Sequence, residues 1–192
     1  MPEGCKLIFC RVVSTLLDLP DIEDAQAFHL ERWAEVCADA TLQRLPDRIE
    51  TNRYGHIIMM PPPGFSHSTR QAEIFARLLE LLPHGRALPV CPILTSDGVK
   101  GVDLAWITEA RIKRGLKGDV LTIAPEICVE VISPKNTRQE MASKRDLYFE
   151  AGADEVWFCD RKGALHFFLR GSGGTDMKAS VLCPTMPRRI KE

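Results

Sequence analysis

Residues 122 to 133, Thr-Ile-Ala-Pro-Glu-Ile-Cys-Val-Glu-Val-Ile-Ser, form the most apolar and β-branched run in the chain. Its length and composition fit a single strand buried on both faces. Glu130 stands in the middle of it. Strand side chains alternate in direction, so Cys128, Glu130 and Ile132 share one face and Ile127, Val129 and Val131 the other. A buried carboxylate is costly unless a cation or hydrogen bonds compensate it. Whatever compensates Glu130 constrains both how the chain folds and what it does.

A second acid breaks a second apolar run. Strands are expected over 86–94 and 101–107, joined by a turn at Ser96-Asp97-Gly98. In the latter, Gly-Val-Asp-Leu-Ala-Trp-Ile, Asp103 shares a face with Ala105 and Ile107, opposite Val102, Leu104 and Trp106. After the Glu130 strand, Thr137-Arg-Gln-Glu140 matches a capping box and Gly152 suits a helix end. On a wheel of roughly 100° per residue, Lys144 falls among Leu147, Tyr148 and Ala151, inside the apolar face, with Arg145 near its edge. A crossover helix packs on its sheet, so Lys144 can lie over the strand that carries Glu130.

The rest of the chain supplies a frame for these three residues. Residues 21–43 carry apolar side chains near a helical period, and 48–60 read as a hairpin turning at Tyr54-Gly55. A stiff Pro61-Pro62-Pro63-Gly64 loop leads to a helix over 68–82, with Ser66 or Ser68 as a candidate cap. Residues 108–119 are a charged excursion. A hairpin follows over 155–170, then one strand and a basic tail within 178–192. Helix, strands, crossover helix and strands predict an α/β domain with a mixed β-sheet core flanked by helices and a βαβ unit over 126–160.

Two carboxylates can hold a divalent cation, which prefers hard oxygen ligands. Such an ion lowers the pKa of a bound water and neutralises charge on a phosphoryl group, and a neighbouring lysine can orient that water. The structural alternative is an Asp103 that satisfies backbone donors and a Glu130–Lys144 ion pair with no further role. A formal net charge of −1 restricts any nucleic-acid surface to a local patch. Arg111, Lys113, Arg114 and Lys135 are candidate phosphate contacts, with a solvated loop as the alternative for the first three. The seven cysteines are odd in number and contain no CxxC pair, which argues against a disulfide framework and predicts reduced thiols in a cytoplasmic protein. Leu7–Cys10 is too short, and too close to Arg11, for a signal or membrane segment.

The segments Val102–Ile107, Ala124–Pro134 and Lys144–Asp160, the last running Lys-Arg-Asp-Leu-Tyr-Phe-Glu-Ala-Gly-Ala-Asp-Glu-Val-Trp-Phe-Cys-Asp, together resemble the Uma-two family. This is a bacterial group of restriction-endonuclease-like proteins in the PD-(D/E)xK nuclease superfamily. Ile49-Glu50 and Gly55–Pro61, with the helix after them, resemble the family's N-terminal half. The resemblance covers roughly residues 46 to 187. It implies a restriction-endonuclease-like domain over 46–192, preceded by a helical extension over 1–45. It further implies hydrolysis of DNA phosphodiester bonds dependent on Mg²⁺ (or Mn²⁺). Asp103 matches the superfamily's first acid and Glu130 the second, with the main-chain carbonyl of Val131 as a third metal ligand. The superfamily's lysine position is Ile132 here; Lys144 on the following helix matches the family's relocated lysine. Val102 replaces the usual proline before the first acid. Glu50 and His67 match recurrent family positions without a defined role. A homodimer is the expected assembly, with residues 5–45 as part of its interface. The competing expectation is a non-catalytic nucleic-acid-binding or oligomerising protein that keeps the fold.

Overall fold

The computed structural model describes residues 24–190. The apolar stretch at 7–10, and the first 23 residues of the expected helical extension, lie outside the described residues.

Helix α1 (Ala25–Ala38) begins at an Asp24 N-cap that accepts from the Ala27 N–H. Leu30 and Trp33 of this helix pack on Leu94, Val99 and Val120. Strands β1 (Arg48–Thr51) and β2 (Ile57–Met60) pair as an antiparallel two-stranded sheet of their own. Helix α2 spans Phe65–Leu81. It starts three residues before the expected position, and the cap is Gly64 with no side-chain hydrogen bond, so neither Ser66 nor Ser68 serves as one.

Strands β3 (Arg86–Thr95) and β4 (Gly98–Ile107) form the long hairpin of the main sheet. The charged excursion folds into α3 (Glu109–Gly115) and two short strands, β5 (Leu116–Lys117) and β6 (Val120–Leu121). The apolar run becomes β7 (Ile127–Val131), followed by α4 (Arg138–Glu150), which carries the expected capping box between Thr137 and Glu140. Gly152 adopts φ +110, a left-handed conformation that closes the helix without a Cβ penalty. Strands β8 (Glu155–Cys159), β9 (Leu165–Leu169) and β10 (Asp176–Met177) complete the sheet. Among the described residues beyond β10 the expected terminal strand does not form; the chain runs through turns to a bridge between Ala164 and Arg189.

The main sheet has the order β10-β9-β8-β7-β4-β3-β6-β5. Strands β7 and β8 are parallel and joined by α4, giving the βαβ unit. Helix α2 covers one face, with Ile74 and Leu78 against Leu104, Ile127, Val129 and Trp157. Helix α4 covers the other, with Met141 and Tyr148 against Ala105, Ile107, Cys128 and Val156. The alternation read from the sequence therefore sorts β4 and β7 side chains onto two cores.

The small sheet is fastened across β4. The Lys100 ammonium donates to the Thr51 carbonyl at 2.9 Å, and the Val99 N–H to Thr51 Oγ1 at 2.9 Å. This brings β1 over the middle of the main sheet, where Asp103 and Glu130 lie.

The C-terminal segment is held by one residue. Glu155 is 1 % exposed and accepts from Trp157 Nε1, Ser180 Oγ and the backbone N–H groups of Val181 and Leu182, all within 2.9 Å. Hydrogen bonds to a charged group are worth about 1.5–3 kcal/mol each, and stranded buried donors add a penalty. Glu155→Ala is expected to lower unfolding free energy by upward of about 3 kcal/mol, measured as the shift in urea midpoint. A loss below about 1 kcal/mol would show that the segment is fastened elsewhere.

Candidate active site

The site forms where the ladder between β4 and β7 stops. Ala105 pairs with Cys128 and Leu104 with Val129, and there the pairing ends although β7 continues to Val131. Asp103 fills the opening: its Oδ2 accepts from the Val131 N–H at 2.8 Å. On the other side, β3 pairs with β4 at Pro89–Leu104 and again at Cys91–Val102, skipping the step that would set Val90 against Asp103. Val90 has φ +48, which costs a non-glycine residue about 1–2 kcal/mol. Such strain tends to gather at functional sites. The Asp103 carbonyl is taken by Gln71 Nε2 of α2 at 2.7 Å.

Six further side chains converge here. Arg48 Nη1 of β1 donates to Asp103 Oδ1 at 2.7 Å, and its Nη2 lies 3.4 Å from Glu50 Oε1. Glu50, buried beside it, accepts from the Gly101 N–H at 3.2 Å. His67 of α2 stands 3.1 Å from Asp103 Oδ2 through Nε2. A carboxylate can only accept, so that nitrogen carries the hydrogen. On the α4 side, Lys144 Nζ lies 3.4 Å from both oxygens of Glu130, and the Tyr148 hydroxyl donates to Glu130 Oε1.

The two strand acids are electrostatically unlike. Burial alone would raise the Asp103 pKa, but the His67 hydrogen bond, the Arg48 charge and the Val131 N–H together hold it at about 2. For Glu130 burial wins: despite Lys144, its pKa is pushed up to about 7, helped by the neighbouring Asp103. Burial likewise opposes the charge of Lys144, but Glu130 and then Glu50 raise its pKa, so the amine stays protonated. Burial, with Glu130 adding to it, holds the Tyr148 phenol well above its ordinary range, so Tyr148 is a neutral donor.

The structure thus brings Asp103, Glu130, Lys144, Glu50 and His67 together. Sequence reasoning missed Arg48, Gln71 and Tyr148. Arg48 lies two residues before Glu50, on the same strand face, and Tyr148 one helical turn after Lys144; those spacings were the available signals. Arg111 corrects an expectation. Its guanidinium is spent on the Ala124 and Gly152 carbonyls and on Asp154 Oδ2 at 2.6 Å, so it is not free for a phosphate. Lys113 and Arg114 are exposed, but α3 begins beyond Ile107, about 13 Å along the strand from Asp103 at roughly 3.3 Å per residue. Lys135 is exposed in the loop after β7, at the end of the strand nearer Glu130.

Among the described residues no group of three or more His, Cys, Asp or Glu is gathered as a metal cage. Mg²⁺ is commonly held by only one or two carboxylates and waters. Asp103 and Glu130, with Glu50 beside them, fit that requirement, and the raised Glu130 pKa marks a carboxylate that a further cation would relieve.

The fold is an α/β mixed sheet with helices on both faces and acids at an interrupted ladder. Residues 39–182 match the Uma2 family, described as "Putative restriction endonuclease", and the chain belongs to that family. Among solved structures it is similar to the crystal structure of "a putative nuclease belonging to DUF820" from Anabaena variabilis. The TM-score is 0.58 at 19 % identity, covering 72 % of this chain and 83 % of that one. No curated protein matches the chain. Among the described residues no helix is long and apolar enough to cross a membrane.

The Glu130 pKa fixes a pH dependence. A carboxyl whose folded pKa of about 7 exceeds its ordinary 4.5 binds its proton more tightly when folded, so its contribution to stability falls as pH rises between those values. Asp103 acts oppositely and lower, losing stability as pH falls from its ordinary 3.8 toward about 2. In EDTA, the native protein should therefore lose up to about 3 kcal/mol relative to Glu130→Gln between pH 4.5 and 7. Parallel urea-stability profiles for the two proteins would rule out a perturbed Glu130.

Proposed function

We propose that this protein is a metal-dependent deoxyribonuclease that cleaves DNA phosphodiester bonds at the Asp103–Glu130 site. The observation that carries this reading is the convergence of Glu50, Asp103 and Glu130 with Lys144 at the one place where the β4–β7 ladder opens. Asp103, Glu130 and the Val131 carbonyl would hold Mg²⁺ or Mn²⁺. When bound, the ion supplies charge neutralisation at the phosphoryl group and a lowered pKa for the attacking water.

The chain's own residues do the positioning. Lys144 is protonated, so it acts as a hydrogen-bond donor and fixed charge toward water or a phosphoryl oxygen and not as a general base. Tyr148 donates to Glu130 Oε1 and so helps orient that carboxylate. His67 and Gln71 hold Asp103 from α2. Lys135 serves as a phosphate contact beside the site, and Lys113 and Arg114 are left to a longer track of DNA. Two copies related by a two-fold axis, with residues 5–45 contributing to the interface, would meet both strands of a duplex. Cys37, Cys91, Cys128 and Cys183, outside any disulfide among the described residues, suit a reducing, cytoplasmic setting.

One observation favours a second reading, a DNA-binding or oligomerising protein with an idle site. Every carboxylate in the cluster already has a cation beside it, through Arg48 or Lys144. Cleavage of plasmid, linear and single-stranded DNA with Mg²⁺ or Mn²⁺ decides between the two. The nuclease reading expects cleavage abolished by EDTA and by Asp103→Asn; intact DNA under all conditions, bound or not, removes it.

Lys144→Met adds a finer test. In EDTA at pH 8 the variant strands Glu130, and unfolding free energy should fall by about 3 kcal/mol. In Mg²⁺ the loss should be smaller, while cleavage drops roughly a hundredfold to a thousandfold. Unimpaired cleavage by a folded Lys144→Met protein would reassign the role.

A further inference from the structure

Arg48 occupies the one oxygen of Asp103 that the fold leaves available. Asp103 Oδ2 is committed to the Val131 N–H at 2.8 Å and to His67 Nε2 at 3.1 Å. Oδ1 accepts from Arg48 Nη1 at 2.7 Å. A cation that is to bind Asp103 must use this oxygen, and a guanidinium is already on it.

We propose that Arg48 is a displaceable counter-cation, a positioning residue that holds the Glu50–Asp103–Glu130 carboxylates in the metal-free protein and that a divalent ion must move aside to bind. This rests on the metal-site reading of the same cluster.

The guanidinium is well placed for the first role. It lies 3.4 Å from Glu50 Oε1 as well as on Asp103. Burial works against its charge, yet Asp103, Glu130 and Glu50, in that order, strengthen its hold on the proton. Three carboxylates face two cations, Arg48 and Lys144, so removing either leaves a large repulsion inside a low-dielectric site. Lys144 is already committed to Glu130, 3.4 Å from both of its oxygens.

The side chain is also built to leave. Its stem lies across Gly101, where a Cβ would come within 3.1 Å of Arg48 Cδ and 3.4 Å of Nε. The missing side chain makes the seat. Gly101 has no positive φ, so the need for glycine here is the room and not the backbone. Arg48 Nε has no partner among the described residues, which leaves the stem fastened only at its tip. The side chain is 22 % exposed, against 6 % for Asp103, so it is the nearer of the two to solvent. Its strand belongs to the small two-stranded sheet, and the main-sheet ladder does not depend on it.

The consequence is a metal affinity lower than the carboxylates alone would give, because binding includes the loss of the Arg48 contacts. Mn²⁺ titrated calorimetrically into the full chain tests this, with Arg48→Met, Gly101→Ala and Asp103→Asn beside the native protein. Arg48→Met should bind Mn²⁺ at least about tenfold tighter, one factor of ten being about 1.4 kcal/mol. It should also melt at a lower temperature in EDTA. Gly101→Ala keeps the guanidinium but crowds its stem, and should shift affinity in the same direction. Asp103→Asn should abolish binding. A folded Arg48→Met that binds Mn²⁺ no tighter than the native protein overturns the proposal and leaves the metal site standing. If Arg48→Met does not fold, an unchanged Mn²⁺ affinity in Gly101→Ala overturns it equally. No Asp103-dependent binding in the native protein, Arg48→Met or Gly101→Ala would overturn both the proposal and the metal reading.

Discussion

The interruption of the sheet at Asp103 is the constraint on which the rest of the site depends. The backbone ladder stops at Leu104–Val129 and resumes nowhere between these strands, while on the β3 side the step opposite Asp103 is skipped at Val90. Buried backbone groups at such a break must find partners. The Val131 N–H finds the Asp103 carboxylate, and the Asp103 carbonyl finds Gln71. The carboxylate therefore serves as a piece of the sheet as well as a candidate ligand. Its geometry is set by three elements at once, since His67 comes from α2, Arg48 from β1 and the N–H from β7.

That anchoring separates the two strand acids. Asp103 receives enough donors to stay ionised far below neutral pH, whereas Glu130, with Lys144 at 3.4 Å and one phenol, does not offset its burial. A divalent ion placed between them would be met by one carboxylate that is already ionised and one that releases a proton on binding. The cores on the two sheet faces supply the stability against which this uncompensated charge is carried.

Much of this was legible in the sequence because each residue breaks a pattern. Asp103 and Glu130 interrupt apolar strands, Lys144 interrupts an apolar helix face, and the capping box and Gly152 mark the helix that carries it. Arg48 broke nothing. It sits in a mostly polar strand where an arginine is unremarkable, and its partner Asp103 is 55 residues away. Only the packing of β1 across β4, through Lys100 and Val99, brings them together. Tyr148 read as core because its ring is core; the hydroxyl's need for Glu130 appears only once β7 lies beneath α4. Arg111 misled for the converse reason. A charged stretch reads as solvated, yet Thr108 caps a short helix that turns this one arginine back onto Asp154 and Glu126.

Two buried glutamates on adjacent parallel strands show why burial of a charge does not by itself mark a site. Glu155 on β8 is paired in register with Ile127, three residues before Glu130 on β7. Both side chains are nearly inaccessible. Glu155 is surrounded by donors from its own and the C-terminal segment, an indole, a hydroxyl and two backbone N–H groups, and no carboxylate competes for them. Such a group is complete, and its effect is to fix residues 180–182 to the sheet. Glu130 instead shares two cations with two other acids, and the direction of its pKa shift reflects what is still lacking. The same side chain, buried to the same depth, is a fastener where donors are in excess and a candidate ligand where negative charge is.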